Sequence, residues 1–149
     1  MWPNTKLTEA LGIRYPVIQA GMAGGVTTPE LVAAVSNAGG LGTLGAGYMT
    51  PDQIRDAVRK IRAQTSQAFA ANLFIPQNVN QTQTDITNMM EYLKQYRLLL
   101  GIEDESLNEH CVEAIEDQVE VLTDAGVPVL SFTFGAPSIQ MVQELATSL

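Results

Sequence analysis

Residues 15–25 read Tyr15-Pro16-Val17-Ile18-Gln19-Ala20-Gly21-Met22-Ala23-Gly24-Gly25, a short apolar run that breaks abruptly into glycines. The first half has the character of a buried strand, and the second half is too flexible to continue it. Immediately beyond, Thr27 or Thr28 can cap a helix with Pro29 in its first turn and Glu30 where the helix dipole favours a carboxylate. Leu31, Ala34 and Val35 give that helix an apolar face, and Gly39-Gly40 is expected to end it. Strand, glycine turn and capped helix together make the repeating unit of a parallel sheet.

Three more copies follow. Leu41 to Leu44 reads as a second strand, then Gly45-Ala46-Gly47, then a helix opened by Thr50-Pro51 with Ile54, Ala57, Val58 and Ile61 on one face. Asp52 lies in that helix's first turn and Arg59, Lys60 and Arg62 in its last, all favourable to the dipole. Phe69 to Phe74 is a third strand, followed by a polar loop from Pro76 to Thr84 and an extra helix carrying Ile86, Met89, Met90, Leu93 and Tyr96 at helical spacing. Nine of the sixteen acids fall between Glu103 and Asp124, where there is no Lys or Arg. Val112, Ile115, Val119 and Leu122 lie beneath that charge as an apolar stripe, so the segment is a helix with a solvated acidic face that stops at Gly126. Val127 to Phe132 is the fourth strand, and Pro137 starts a last helix bearing Met141 and Leu145.

This alternation predicts an α/β chain with a parallel sheet in the order one-two-three-four, right-handed crossovers and helices outside. Four units suit a small doubly wound domain or half of an eight-unit barrel, and composition does not choose between them. The 149 residues support one domain, with 46% hydrophobic residues for a core. A net charge of −8 disfavours nucleic acid and anionic bilayers as partners. The single Cys111 cannot form an internal disulfide, Met1 to Lys6 has no signal-peptide character, and no apolar run has the length of a membrane span, so a cytoplasmic, non-membrane location is expected.

The chemistry-bearing motifs differ in weight. Gly40-Leu41-Gly42-Thr43-Leu44-Gly45 fits G-x-G-x-x-G, but a helix precedes it and a strand follows, the reverse of the order a pyrophosphate site needs. His110 and Cys111 are neighbours on a helix and point about 100° apart, so they do not form a nucleophilic pair there. The acidic segment lacks converging ligands from elsewhere, and no metal site is assigned. By contrast, Gly21 to Gly25, Gly45 to Gly47, Asn72 and Ser131 to Gly135 all fall at carboxyl ends of strands, where parallel α/β proteins bind ligands. Glycines let backbone groups approach a flat ligand, and the Asn72 amide can donate and accept.

These residues carry a resemblance. Gly12 through Gly25, Thr28-Pro29-Glu30-Leu31-Val32, Val35 through Gly42, Ala71-Asn72-Leu73-Phe74-Ile75-Pro76 and Ser131-Phe132-Thr133-Phe134-Gly135 resemble the nitronate monooxygenases, formerly called 2-nitropropane dioxygenases. The resemblance implies a parallel (β/α)8 TIM-type barrel of which this chain supplies the first four βα units, with a helical insert at about 77–105. It implies an FMN-dependent oxidoreductase that oxidises alkyl nitronates with O2 to a carbonyl compound and nitrite. The backbone of Met22, Ala23 and Gly24 would lie along the flavin, and Asn72 would contact it. The family's catalytic His and FMN phosphate site belong to later strands than these, so no catalytic residue is assigned here and His110 does not take that role. Two alternatives stand beside this reading. One is a flavin-dependent enoyl-acyl-carrier-protein reductase, which shares the opening Pro-x-Ile-Gln-x-Gly-Met. The other is a non-catalytic half-barrel with two bare sheet edges, which would dimerise or aggregate, so a homo-oligomer is among the expected partner states.

Overall fold

The structure, a computed structural model, describes residues 4–75, 82–102 and 114–148. Among these, 4–75 with 114–148 make one compact unit and 82–102 belong to a second. The described residues of the second unit include helix α4 (Gln83–Leu100), which starts from a reciprocal cap. The Thr82 hydroxyl accepts from the Asp85 N–H and donates to the Asp85 carboxylate at 2.7 Å, and the Thr82 N–H donates to that carboxylate at 3.1 Å; the hydroxyl first and the N–H second hold the Asp85 pKa below the usual carboxylate value. Ile86, Met89, Met90, Leu93 and Tyr96 all lie within this helix. The acidic positions from Glu103 to Glu113, with His110, Cys111 and Val112, lie outside the described residues.

The first unit is a parallel sheet with three of its helices packed on one face. Its elements are α1 (Lys6–Leu11), α2 (Pro29–Asn37), β1 (Gly42–Gly45), α3 (Pro51–Arg62), β2 (Phe69–Phe74), α5 (Ile115–Asp124), β3 (Val129–Thr133) and α6 (Ile139–Ser148). The sheet order is β1-β2-β3, all parallel, with Gly45 opposite Asn72 and Asn72 opposite Ser131.

Alternation along the strands separates two faces. Leu44, Ala46, Phe69, Ala71 and Leu73 pack under Val32 of α2, Ile54, Val58 and Ile61 of α3, and Val121 and Leu122 of α5, forming the main core. The opposite face begins apolar, with Leu41 and Ala70 against Ile13. Toward the carboxyl ends it becomes polar through Thr43, Asn72, Ser131 and Thr133. Close helix packing on β1 depends on Gly42, because a Cβ there would stand 2.1 Å from the Val32 carbonyl oxygen. Gly42, the middle glycine of the G-x-G-x-x-G stretch, therefore serves helix–strand contact.

Several boundaries differ from the sequence reading. Pro16 to Ala20 is not a strand: its backbone pairing is a single parallel bridge between Ile18 and Leu41, the residue before β1. Pro16 has no N–H, the Val17 N–H turns back onto the Tyr15 carbonyl at 2.7 Å, and pairing is limited to Leu41 N–H on Val17 and Gln19 N–H on Leu41. The last strand begins at Val129 because Val127 is still part of the α5 terminus, its N–H donating to the Leu122 carbonyl after Gly126 in the left-handed region. The last helix, α6, starts at Ile139 and not at Pro137, with the Ser138 hydroxyl accepting from the Met141 N–H. On α5 the core positions are Ile115, Gln118, Val121 and Leu122, while Val119 is only partly buried. Gln118 earns its interior place by donating to the Ala46 and Met49 carbonyls at 3.2 and 2.8 Å. Helix α1, which the sequence reading omitted, rests on a Thr5–Thr8 capping box.

Candidate functional site

The carboxyl ends of β1 and β2 and the glycine segment after residue 20 converge on one rim. Asn72 is buried on the polar face, and its Nδ2 donates to Ser131 Oγ at 2.9 Å and Thr133 Oγ1 at 3.1 Å. Thr133 Oγ1 lies 3.2 Å from Asn72 Oδ1 as well, so the carboxamide is fixed across β2 and β3. Gly21 lies directly against it: a Cβ on Gly21 would be 2.7 Å from the Asn72 Cβ and 3.1 Å from Thr43 Cγ2. Gly45, opposite Asn72 in the ladder, leaves room for the Met22–Ala23 peptide, since a Cβ on Gly45 would be 2.4 Å from the Met22 carbonyl carbon. The structure thus brings Met22, Ala23 and Asn72 together through two glycines that no larger residue could replace without moving backbone.

Gly24 continues the same segment with φ +88° and Gly25 with φ +93°, values that favour glycine. Both line an open groove of about 390 Å³ whose other wall includes Tyr48, Met49 and the Asp56–Lys60 pair. The Asp56 carboxyl is held below its usual pKa by hydrogen bonds from Lys60 and Arg59.

Hydrogen bonding at the β1 edge sets the course of this segment. The Thr43 N–H donates to Gln19 Oε1 at 3.1 Å, and Gln19 Nε2 donates to the Thr43 carbonyl at 3.3 Å and to the Ala20 carbonyl. The Gly45 N–H donates to Thr27 Oγ1 at 2.7 Å, and that hydroxyl donates to the Met22 carbonyl at 3.0 Å. Thr28 caps α2, which resolves the Thr27 or Thr28 alternative and leaves Thr27 for this second task. Neither Gln19 nor Thr27 was picked out from sequence as a site residue. Their types are visible there, but partners 24 and 18 positions away are not. Thr43 Oγ1 is buried with no hydrogen-bond partner among the described residues.

Aromatic rings stand at the strand ends around this rim. Phe74 packs edge-on against Tyr48, with centroids 5.1 Å apart, and against Phe134, at 4.9 Å. Phe134 has φ +71°, an unusual conformation for a side chain of this size. Among the described residues no group of three or more His, Cys, Asp or Glu could hold a metal ion, and no helix is long and apolar enough to cross a membrane.

The profile of the nitronate monooxygenase family matches residues 4–149. A probable nitronate monooxygenase of Staphylococcus haemolyticus is 43% identical over 145 residues, covering 97% of this chain and 40% of the relative. One from Staphylococcus aureus strain JH9 is 44% identical over 150 residues, covering 97% and 41%. Among solved structures, nitroalkane oxidase from Streptomyces ansochromogenes superposes with a TM-score of 0.82 at 33% identity, over 97% of this chain and 40% of that one. FabK from Thermotoga maritima gives 0.68 at 29% identity, over 98% and 35%. The chain spans about two fifths of the length of the curated relatives it matches, and over that span it belongs to the nitronate monooxygenase family.

Proposed function

We propose that this chain forms the flavin-facing wall of an FMN-dependent oxidoreductase of the nitronate monooxygenase type. In this reading it supplies the first four βα units of a parallel (β/α)8 barrel, with α4 in an insert at about 77–105. The enzyme oxidises alkyl nitronates with O2 to a carbonyl compound and nitrite in the cytoplasm, without a nucleic-acid or membrane partner.

The observation that carries the reading is the convergence of Asn72 with the Met22–Ala23 backbone through Gly21 and Gly45. The residues present fit FMN. Gly21 and Gly45 add no side chain of their own to the rim, and no hydrogen bond among the described residues uses the N–H groups of Gly21, Met22, Ala23 or Gly24. Backbone donors beside a fixed carboxamide suit a flat ring rich in acceptors, with the Gly24 backbone next along the same segment. When bound, FMN supplies the electron-accepting centre. The chain's own share is to hold that ring against the strand ends and orient the substrate over it, which accounts for a rim built from backbone and amide groups. Acid–base and phosphate-binding groups are assigned to the rest of the protein, because the relatives extend far beyond the matched span.

The test is FMN binding by the gene's full product, followed by nitrite release from an alkyl nitronate. Bound flavin with nitrite formation is expected. NADH oxidation driven by an enoyl thioester, with no nitrite, would replace this reading by the enoyl reductase alternative, which the lower TM-score to FabK supports less. By itself the segment 1–149 is expected to show no turnover.

A further inference from the structure

We infer that Gln19 and Thr27 are positioning residues, which fill the outward rungs of β1 with side-chain atoms and so keep the backbone N–H groups of Gly21 to Gly24 available to a ligand. The inference rests on the FMN reading for the identity of that ligand. In a parallel ladder extended from the Ile18–Leu41 bridge, Thr43 would donate to the carbonyl of residue 19 and accept from the N–H of residue 21. Both Thr43 groups are instead satisfied by one carboxamide, that of Gln19, whose donor and acceptor reproduce a peptide. One rung later, Gly45 would donate to the carbonyl of residue 21 and accept from the N–H of residue 23. Its N–H donates to the Thr27 hydroxyl, which in turn donates to the Met22 carbonyl.

Gly21 and Ala23 are thereby relieved of sheet pairing at the two positions where pairing would consume their donors. The chain is then free to cross over Gly45 instead of running beside it, which the missing Cβ of Gly45 permits. Thr27 is 1% exposed, so its hydroxyl works between these two backbone groups with little competition from water.

Four variants of the full-length protein test this. Thr27→Val keeps the shape and removes the hydroxyl, and FMN affinity, read by quenching of flavin fluorescence, is expected to fall about tenfold. Thr27→Ser keeps the hydroxyl and should remain within about twofold of the starting affinity. Gln19→Leu should weaken binding at every pH relative to the unmodified protein. Gln19→Glu should be as weak at about pH 8 and recover as pH falls to about 4, near the ordinary glutamate pKa, because a protonated carboxyl can again accept from and donate to Thr43 as the amide does. A Gln19 side chain that served only to fill space would not produce that recovery.

Wild-type affinity in Thr27→Val and Gln19→Leu, or equal behaviour of Gln19→Glu and Gln19→Leu across pH, overturns the inference. Amide exchange at Thr43 and Gly45 in the flavin-free protein supplies an arm independent of FMN. Faster exchange in Gln19→Leu and Thr27→Val upholds the side-chain rungs, and unchanged exchange overturns them. If the unmodified protein binds no FMN, the cofactor reading fails, and the exchange data still decide the roles of Gln19 and Thr27.

Discussion

The two edges of the sheet are finished in different ways. At β1, the outward N–H groups of Leu41, Thr43 and Gly45 meet in turn the Val17 carbonyl, the Gln19 carboxamide and the Thr27 hydroxyl. At the other side, every residue of β3 is half-buried, and β2 is its only strand neighbour among the described residues. The expectation of two bare edges is therefore corrected: the β1 edge is closed by a short stretch of backbone and then by side chains. A strand edge can be blunted without another strand when amide and hydroxyl groups occur at the right places, and the backbone that would have paired is left for other work.

The largest effect should appear when the matched segment is expressed alone. Residues 1–149 are expected to self-associate through the β3 edge as a limited assembly, seen by sedimentation velocity. Opening the other edge with Gln19→Leu and Thr27→Val together should make both edges adhesive and convert that assembly into open-ended aggregates. A monomer in both cases would erase the contrast between the edges.

Next in size is Gly45→Val. The new side chain must displace the Met22–Ala23 peptide, at a cost of about 3 kcal/mol, with a Tm drop of about 10 °C. Thermal unfolding of the flavin-free protein checks it, and an unchanged Tm would mean that the loop does not cross Gly45. Asn72→Ala should cost less, about 1–2 kcal/mol, because it strips partners from Ser131 and Thr133 without forcing backbone apart. Denaturant unfolding measures that cost, and FMN affinity should fall with it.

The smallest effect is assigned to Asp56→Asn, on α3 and away from the hydrogen bonds of either edge. Lys60 and Arg59 lie 2.6 and 2.5 Å from the Asp56 carboxylate and depress its pKa in the folded state. The stability it contributes is present above the ordinary carboxylate pKa and is lost as pH falls through the lowered value. Because the group is exposed, the difference in melting temperature between the variant and the unmodified protein should be slight, shrink in salt and vanish at low pH. Amide exchange at Thr43 and Gly45 should not change.

Much of this architecture was legible because its signals are local. Thr28-Pro29 and Thr50-Pro51 announce helix starts through a hydroxyl acceptor and a missing N–H, and Ile54, Ala57, Val58 and Ile61 mark the buried face of α3 by spacing alone. The β2 limits follow directly from an apolar run bounded by polar segments. Clustering of glycines, Asn72 and small polar residues at strand ends located the rim, since in a parallel sheet those ends must share one side. What the sequence could not decide was how each hydrogen-bonding group would be spent. Tyr15 to Ala20 has strand composition, yet Pro16 and the Gln19 carboxamide hold it to a single bridge, and Gln118 looks like a surface residue of an acidic helix until its amide meets two carbonyls of the β1–α3 connection. Composition and periodicity determined where α2, α3, α4, β1 and β2 lie, to within a residue or two, and which end of the sheet is the rim. Tertiary structure alone decided that Gln19 and Thr27 stand in for strand pairing, because a donor or acceptor has no assigned partner until folding brings residues 19 and 43, and 27 and 45, within hydrogen-bond distance.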